Sequence, residues 1–185
     1  MKKTLDSSYP KLIRTQRTKI SPWIEVIERD VQFDPSSDPE TYYAISQPTF
    51  LVALVLTQER HVVLVRQYRP AIRRVSIELP AGLLERNENP ETAIAREIVE
   101  ETGYVCKSIT KIGSAATCSS RIDNTTLSFF VEAGKQSRDF TNEPGIDVIL
   151  VSFDELRELV LSGEFGEQTH LGVLALAQFR GLITL

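Results

Sequence analysis

The chain has 185 residues, of which 42% are hydrophobic and 25% are charged, and this composition suits one packed domain of ordinary size. The 21 basic and 25 acidic side chains give a formal net charge of −4, which argues against a general nucleic-acid or anionic-membrane binder, because such binding depends on clustered lysine and arginine. The longest apolar run, FLVALVL from Phe50, is far too short to span a membrane. The N-terminal segment lacks an apolar signal region, and Cys106 and Cys118 fit no zinc motif, so we expect a cytoplasmic protein with reduced thiols.

Residues 1–47 predict a small β region ahead of the main domain. The first 20 residues are polar and basic with little periodicity, and are expected to form a mobile or partner-packed arm. The segment WIEVIERDVQF, from Trp23 to Phe33, alternates as a strand does. The turn-rich stretch FDPSSDPET follows and predicts a hairpin loop before another strand near Tyr42–Ser46.

Residues 48–185 predict the main domain. Strands are expected over residues 50–56, 62–67, 75–79, 108–116, 126–132 and 147–151. Helices are expected over residues 90–102, from Ser152 to Gly163, and from a cap at Thr169 to Arg180. Strands interleaved with helices of different spacing indicate a mixed sheet covered by helices.

The helix predicted over residues 90–102 concentrates negative charge. Asn89 suits the N-cap, Pro90 the first helical position and Gly103 the C-terminal exit. Three carboxylates fall within one arc of about 100°: Glu97, Glu100 and Glu101. The buried face is expected nearly opposite, at Ala95, Ile98 and Val99. Like charges at this spacing weaken a helix by a few tenths of a kcal/mol per pair, so their presence needs a reason.

One interpretation of this helix is a solvated acidic face. The turn in front of it, Pro80-Ala81-Gly82, favours a second interpretation, because Gly82 permits backbone conformations that other residues resist. Such a bend can direct the Ala81 carbonyl toward the carboxylates. Since hard divalent cations such as magnesium prefer oxygen ligands, the carbonyl and the three carboxylates form a candidate metal site.

The stretch from Gly82 to Gly103 resembles the Nudix box of the Nudix hydrolases. Glu88 follows Gly82 after five residues, and Arg96-Glu97, Glu100-Glu101 and Gly103 complete the pattern after seven more. VLVRQYRP before the box, ELPAG leading into it and SPW near residue 22 resemble the ADP-ribose pyrophosphatase branch. The resemblance implies an α/β/α sandwich with a mixed β-sheet, preceded by an N-terminal β region that often swaps between the subunits of a homodimer.

The resemblance also implies roles for individual residues. The metal ligands would be Ala81, through its carbonyl, and Glu97, Glu100 and Glu101, with Mg²⁺ as the cofactor and Mn²⁺ as a possible substitute. Arg96 and Glu88 would form a supporting salt bridge. Arg96 and Glu100 are both expected to take part in catalysis. Substrate contacts are expected from Arg69 on a phosphate, Glu78 beside the metals and Trp23 on the base. The catalytic base is expected at Glu143 in the loop SRDFTNEPGID, with Asp147 as the alternative.

The reaction that this resemblance implies is hydrolysis of the diphosphate linkage of a nucleoside diphosphate sugar to a nucleoside monophosphate and a sugar phosphate. Ser119 stands near the place where ADP-ribose pyrophosphatases typically carry a proline, so the preferred sugar remains open. One alternative substrate is another nucleoside diphosphate derivative, such as a dinucleotide. A non-catalytic Nudix-fold binding module is a further alternative, although such a module has no need to keep Arg96, Glu97, Glu100 and Glu101.

Overall fold

A computed structural model describes residues 10–185, so the first nine residues of the predicted arm lie outside the described part of the chain. The chain divides into two compact units. One comprises the described residues up to Pro48 together with Ala116–Asn124, and the other comprises Thr49–Ala115 and Thr125–Leu185. None of the helices among residues 10–185 is both long and apolar enough to cross a membrane.

The described residues form these strands and helices in chain order: β1 Lys11–Lys19, β2 Glu25–Gln32, β3 Glu40–Ser46, β4 Phe50–Leu56, β5 Val62–Arg69, β6 Arg74–Glu78, β7 Ala81–Leu83, α1 Pro90–Thr102, β8 Tyr104–Ala115, β9 Ile122–Asp123, β10 Thr126–Gln136, β11 Ile146–Val151, α2 Phe153–Ser162 and α3 Gln168–Phe179.

The first unit is a four-stranded sheet in the order β1-β2-β3-β9. Strands β1, β2 and β3 pair antiparallel, and β9 adds to β3 in parallel. Lys11–Lys19, which was expected to belong to a mobile or partner-packed arm, forms a strand that pairs with β2 along its length. Every residue of β1 is exposed, so the strand carries no alternation of buried and exposed positions by which the sequence pattern would reveal it.

The second unit is built on a seven-stranded mixed sheet. Its main path runs β11-β5-β4-β10-β8, with β6 paired to β5 and β7 paired to β4. The central pair, β4 and β10, is parallel, and the remaining pairs are antiparallel. Because helices cover both faces, β4 is buried along almost its entire length and reads as a continuous apolar run.

The two faces of β4 enter separate hydrophobic cores. Val52, Leu54 and Leu56 join the core that contains residues of α2 and α3, whereas Leu51, Ala53 and Val55 join the core that contains residues of α1. This alternation follows from the period of two along a strand. It places α1 on one side of the sheet and the other two helices on the opposite side, which confirms the predicted α/β/α sandwich.

The helix boundaries follow from their caps. The side chain of Asn89 accepts hydrogen bonds from the backbone N–H groups of Glu91 and Thr92, and Gly103 ends α1 at φ 70°. Ser152 and Glu155 form the predicted capping box of α2. The predicted cap of α3 at Thr169 was wrong, because the Glu167 carboxylate accepts from the N–H of His170 and begins the helix two residues earlier.

Candidate active site

The carboxylates of α1 do not lie opposite its buried face. The buried residues are Ala93, Ile94, Ile98 and Thr102, whereas Val99, which was expected inside, is 43% exposed. Glu97 and Glu101 are only partly exposed, since they border the buried face on the side of the loop that precedes the helix. The carboxylates therefore face protein as well as solvent, which a purely solvated acidic face would not do.

Gly82 lets Glu97 lie directly against the turn before α1. A Cβ atom built at Gly82 would overlap the carboxyl carbon of Glu97. The φ of Gly82 is not in the left-handed region, so the requirement for glycine is one of space rather than of backbone conformation. The close approach of strand end and helix thus depends on the missing side chain.

Arg96 is shared by three carboxylates. Its Nε and Nη2 donate to the two oxygens of Glu88, each at 3.2 Å, which is the predicted salt bridge between loop and helix. Its Nη1 donates to Glu97 at 2.9 Å and to Glu100 at 3.0 Å. The hydrogen bonds that Arg96 donates to Glu88 lower the pKa of Glu88 and are the main reason that the pKa of Arg96 is raised. One guanidinium therefore balances only part of the local negative charge.

Glu101 has a different environment from the other box carboxylates. Its Oε2 accepts a hydrogen bond from the N–H of Ala81 at 3.0 Å, and no ion pair joins it to a cation among the described residues. Burial raises the pKa of Glu101 to about 8, and the Ala81 hydrogen bond offsets only part of this shift. Burial also raises the pKa of Glu97, against the opposing charge of Arg96. At Glu97 the charge of Arg96, and at Glu101 the Ala81 hydrogen bond, are therefore too weak to outweigh the effect of burial.

The donor chemistry of this cluster suits a hard divalent cation. In the arrangement described for residues 10–185, however, no three acidic, histidine or cysteine side chains are gathered as a ready metal site. The ion pairs give the reason, because Arg96 engages Glu97 and Glu100 while Glu101 is turned to the Ala81 N–H. Glu97, Glu100, Glu101 and the Ala81 carbonyl remain the proposed ligands.

Arg69 and Glu78 form a forked ion pair. The Nε of Arg69 donates to Glu78 Oε1 at 2.9 Å, and its Nη2 donates to Oε2 of the same carboxylate. Burial would raise the pKa of Glu78, but the hydrogen bonds and charge of Arg69 outweigh it and lower that pKa. Among the described residues, Arg69 Nη1 makes no hydrogen bond, so the guanidinium keeps donors available for a phosphate oxygen.

A cleft of about 730 Å³ opens beside this ion pair. Its walls come from β5, β6 and the segment that joins α2 to α3, and they include Arg66, Arg69 and Arg74 together with Glu78. This volume lies within the range of small-molecule sites. The arginines provide hydrogen-bond donors for an anionic ligand, but three glutamates of the same lining, Glu78, Glu164 and Glu167, balance their charge.

The remaining predicted site residues are Glu143, its alternative Asp147, and Trp23. Glu143 is exposed in the loop between β10 and β11, where its carbonyl accepts from the N–H of Ile146 at 3.0 Å. The alternative base, Asp147, accepts from Arg66 at 2.8 Å and is therefore engaged. Trp23 belongs to the first unit and is 59% exposed. The roles of Glu143 and Trp23 stay predictions.

His170 is a buried polar residue of the second unit that the sequence analysis did not single out. Its ring is fully buried, stacks on Phe50 at a centroid distance of 6.0 Å and accepts a hydrogen bond at Nδ1 from the N–H of Leu79 at 3.0 Å. A lone histidine in a helix carries no sequence signal for such a contact. The order ELPAG shows only that Leu79 precedes the turn Pro80-Ala81-Gly82.

The raised pKa of Glu101 predicts a pH dependence of the metal-free protein. Between its ordinary value of 4.5 and about 8, the folded state retains a proton that the unfolded state has lost, so unfolding releases a proton and stability falls as pH rises. We expect the melting temperature measured in chelator to fall across this window, and to fall less in Glu101→Gln. The exposed control Glu158→Gln is expected to keep the parental slope; an equal slope in Glu101→Gln and the parent would contradict the assignment.

Comparison with known proteins assigns the family. The NUDIX domain matches residues 46–169. The ADP-ribose pyrophosphatase of Bacillus subtilis (strain 168) is 30% identical over 144 residues, which cover 76% of this chain and 77% of that protein. The GDP-mannose pyrophosphatase of Klebsiella pneumoniae subsp. pneumoniae is 31% identical over 146 residues, which cover 71% of this chain and 73% of that protein.

The fold agrees with this assignment. A crystal structure of an ADP compounds hydrolase superposes with a TM-score of 0.76 at 16% identity, covering 94% of this chain and 97% of that one. The chain belongs to the Nudix family. The resemblance inferred from residues 82–103 and the predicted fold class are therefore confirmed.

Proposed function

We propose that the protein is a magnesium-dependent hydrolase of nucleoside diphosphate sugars. The observation that carries the proposal is the set of Nudix carboxylates on α1, in which half-buried Glu101 has no ion-pair partner among residues 10–185 and lies within the electrostatic influence of the Arg69–Glu78 pair that borders the cleft. The relatives named as ADP-ribose and GDP-mannose pyrophosphatases act on this substrate class, which supports the proposal.

In the proposed reaction, water adds to one phosphorus of the diphosphate and the bridging P–O bond breaks, so that a nucleoside monophosphate and a sugar phosphate leave. A bound magnesium ion supplies positive charge to the diphosphate and makes water a better nucleophile. Glu97, Glu100, Glu101 and the Ala81 carbonyl would hold it. Arg96, braced by Glu88, orients two of these carboxylates, and Arg69 holds a phosphate oxygen with the donors that Glu78 leaves available.

The test is a hydrolysis panel with purified protein and Mg²⁺. ADP-ribose, GDP-mannose and a dinucleotide would be incubated separately, and the products followed by ³¹P NMR. Hydrolysis in ¹⁸O-labelled water identifies the attacked phosphorus, since the label enters only one product. We expect ADP-ribose and GDP-mannose to be hydrolysed faster than the dinucleotide, and we expect addition of a chelator to stop the hydrolysis. Tight binding of every compound without turnover would instead support the non-catalytic module.

We propose Glu143 as the general base. Glu143→Gln is then expected to lower turnover by about 10²–10⁴, the usual contribution of acid–base catalysis, while the Mg²⁺ concentration for half-activation stays unchanged. Steady-state kinetics with magnesium titration measures both quantities. Glu59→Gln, at an exposed turn, is the matched control. Turnover of Glu143→Gln within a few-fold of the parent would assign the base to another residue.

We also propose that residues 1–47 mediate a homodimer and contact the substrate base. In the described part of this region many large apolar side chains are exposed: Leu12, Ile13, Ile20, Trp23, Phe33, Tyr42, Tyr43 and Ile45. Only Ile27 is buried there. Monomeric soluble proteins rarely leave so much apolar surface uncovered, and a second copy of the same unit would cover it.

Sedimentation is expected to show twice the chain mass of 20.8 kDa. Ile13→Lys on the exposed strand β1 is expected to shift the protein toward monomer, because a charge placed in an apolar interface is costly. Phe179→Lys, at an 86% exposed position of α3, is the matched control and is expected to stay dimeric. A monomeric parent that hydrolyses the substrate at full rate would contradict the proposal.

A further inference from the structure

His170 joins the start of α3 to the end of β6. Its Nδ1 accepts the Leu79 N–H at 3.0 Å, and Leu79 is followed by Pro80 and by Ala81, whose N–H donates to Glu101. A short path of contacts therefore connects α3 to Ala81 and Glu101, two of the proposed metal ligands. Leu79 itself is fully buried, so no water replaces His170 as the acceptor for its N–H.

The hydrogen bond at Nδ1 determines the tautomer of His170. Since Nδ1 accepts, the ring proton of the neutral imidazole must be on Nε2. Nε2 is the one buried side-chain nitrogen or oxygen within residues 10–185 that lacks a hydrogen-bond partner. It lies 3.6 Å from Oε2 of Glu167, which is too long for a hydrogen bond. That oxygen already caps α3 by accepting the N–H of His170 at 2.8 Å.

The environment of the ring keeps it neutral and fixed. Phe50 and Phe165 flank it at centroid distances of 6.0 and 6.4 Å, and burial lowers the pKa of His170. A charged imidazolium would also place a proton on Nδ1, opposite the Leu79 N–H. The residue therefore acts as a hydrogen-bond acceptor of defined orientation, with Glu167 beside its other nitrogen.

We propose that His170 is a positioning residue that holds the backbone from Glu78 to Ala81 in the path required for metal binding. The proposal rests on the proposed function, since it concerns the same carboxylate site. His170 is not one of the proposed metal ligands. It acts through Leu79, in the way that residues behind metal ligands hold those ligands in place.

The test compares two substitutions of His170, one without and one with a hydrogen-bond acceptor for the Leu79 N–H. His170→Phe keeps an aromatic ring between Phe50 and Phe165 but leaves the Leu79 N–H without a partner. His170→Asn restores an acceptor near the place of Nδ1. His61→Phe, at the other, exposed histidine, is the control. Mn²⁺ binding to substrate-free protein, measured by electron paramagnetic resonance, is expected to weaken about 10-fold or more in His170→Phe and to recover in His170→Asn.

The kinetic readouts separate positioning from a merely structural role. A loss of fold stability alone lowers the melting temperature but leaves Mn²⁺ affinity and kcat of the folded protein unchanged. Positioning is expected to lower kcat and metal affinity together in His170→Phe, with a smaller effect on KM. Parental metal affinity and kcat in folded His170→Phe would overturn the proposal. A parent that binds Mn²⁺ but hydrolyses no member of the substrate panel would instead overturn the proposed function.

NMR of the parent protein gives a second test that needs no folded variant. The imidazole ¹⁵N signals are expected to show the tautomer protonated at Nε2. Titration with Mg²⁺ is expected to shift the Leu79 amide and the His170 ring signals with the same midpoint as the Ala81 amide. If the Ala81 amide signal responds to Mg²⁺ while the Leu79 and His170 signals do not, His170 is not linked to the turn that contains Ala81.

Discussion

Replacing Glu101 with glutamine is expected to nearly abolish magnesium-dependent turnover while the chain stays folded. The substitution preserves shape but removes the charge of a proposed ligand that has no cation partner among the described residues. We expect a loss of about 10²-fold or more, at or above the upper end of what a supporting residue costs. The Mg²⁺ concentration for half-activation is expected to rise in parallel, which steady-state kinetics over a magnesium series measures.

Two further variants, Glu158→Gln and Glu143→Gln, serve as comparisons for Glu101→Gln. Glu158→Gln removes the same charge at an exposed position of α2 and is expected to leave kinetics unchanged. Glu143→Gln is expected to lower turnover without lowering metal affinity. Glu143 lies in the loop between β10 and β11, whereas the proposed ligands lie on α1 and at Ala81. Undiminished magnesium-dependent activity in folded Glu101→Gln would remove this residue from the metal site.

Replacing Gly82 with alanine is expected to reduce turnover by about 10²-fold, the scale on which a misplacement of about 1 Å acts. The added methyl group overlaps the Glu97 carboxyl, and the flexible glutamate side chain gives way more readily than the backbone does. Stability is therefore expected to change little, because the displaced atoms lie at the end of a side chain. Kinetics and thermal unfolding of the same sample separate the two effects.

Gly172 provides the matched control for Gly82. It lies in α3, where an added Cβ meets nothing within 4 Å, and alanine favours a helix over glycine by about 1 kcal/mol. Gly172→Ala is expected to keep full activity with equal or higher stability. If Gly82→Ala behaves in the same way, the contact between the turn and Glu97 does not position a metal ligand.

The best-predicted part of the molecule is the segment whose sequence signals are local. Asn89, Pro90 and Gly103 each act on the nearest turn of α1, so the helix boundaries agree with the prediction. Strand β4 was equally clear, because burial on both faces leaves only apolar residues. The salt bridge between Arg96 and Glu88 was implied by the resemblance to the Nudix box rather than by spacing alone.

The features that were missed depend on contacts distant in sequence. The exposed strand β1 has no hydrophobic period, and β7 and β9 are only three and two residues long. Glu101 accepts a hydrogen bond from the N–H of Ala81, twenty positions earlier. The bond between His170 and Leu79 spans 91 positions. No local pattern specifies such a partner, so neither of these two contacts of the candidate site could be predicted from the sequence.

The parallel pairing of β4 has a consequence for how the chain is made. Its antiparallel partners β5 and β7 follow within about 30 residues, but its parallel partner, β10, begins only at Thr126. Until that segment leaves the ribosome, one edge of an uncharged run of seven apolar residues is unpaired, and such runs favour association between chains. Non-local pairings also form slowly. Aggregation during expression is therefore expected to begin at β4, and slower synthesis would lengthen the period of exposure.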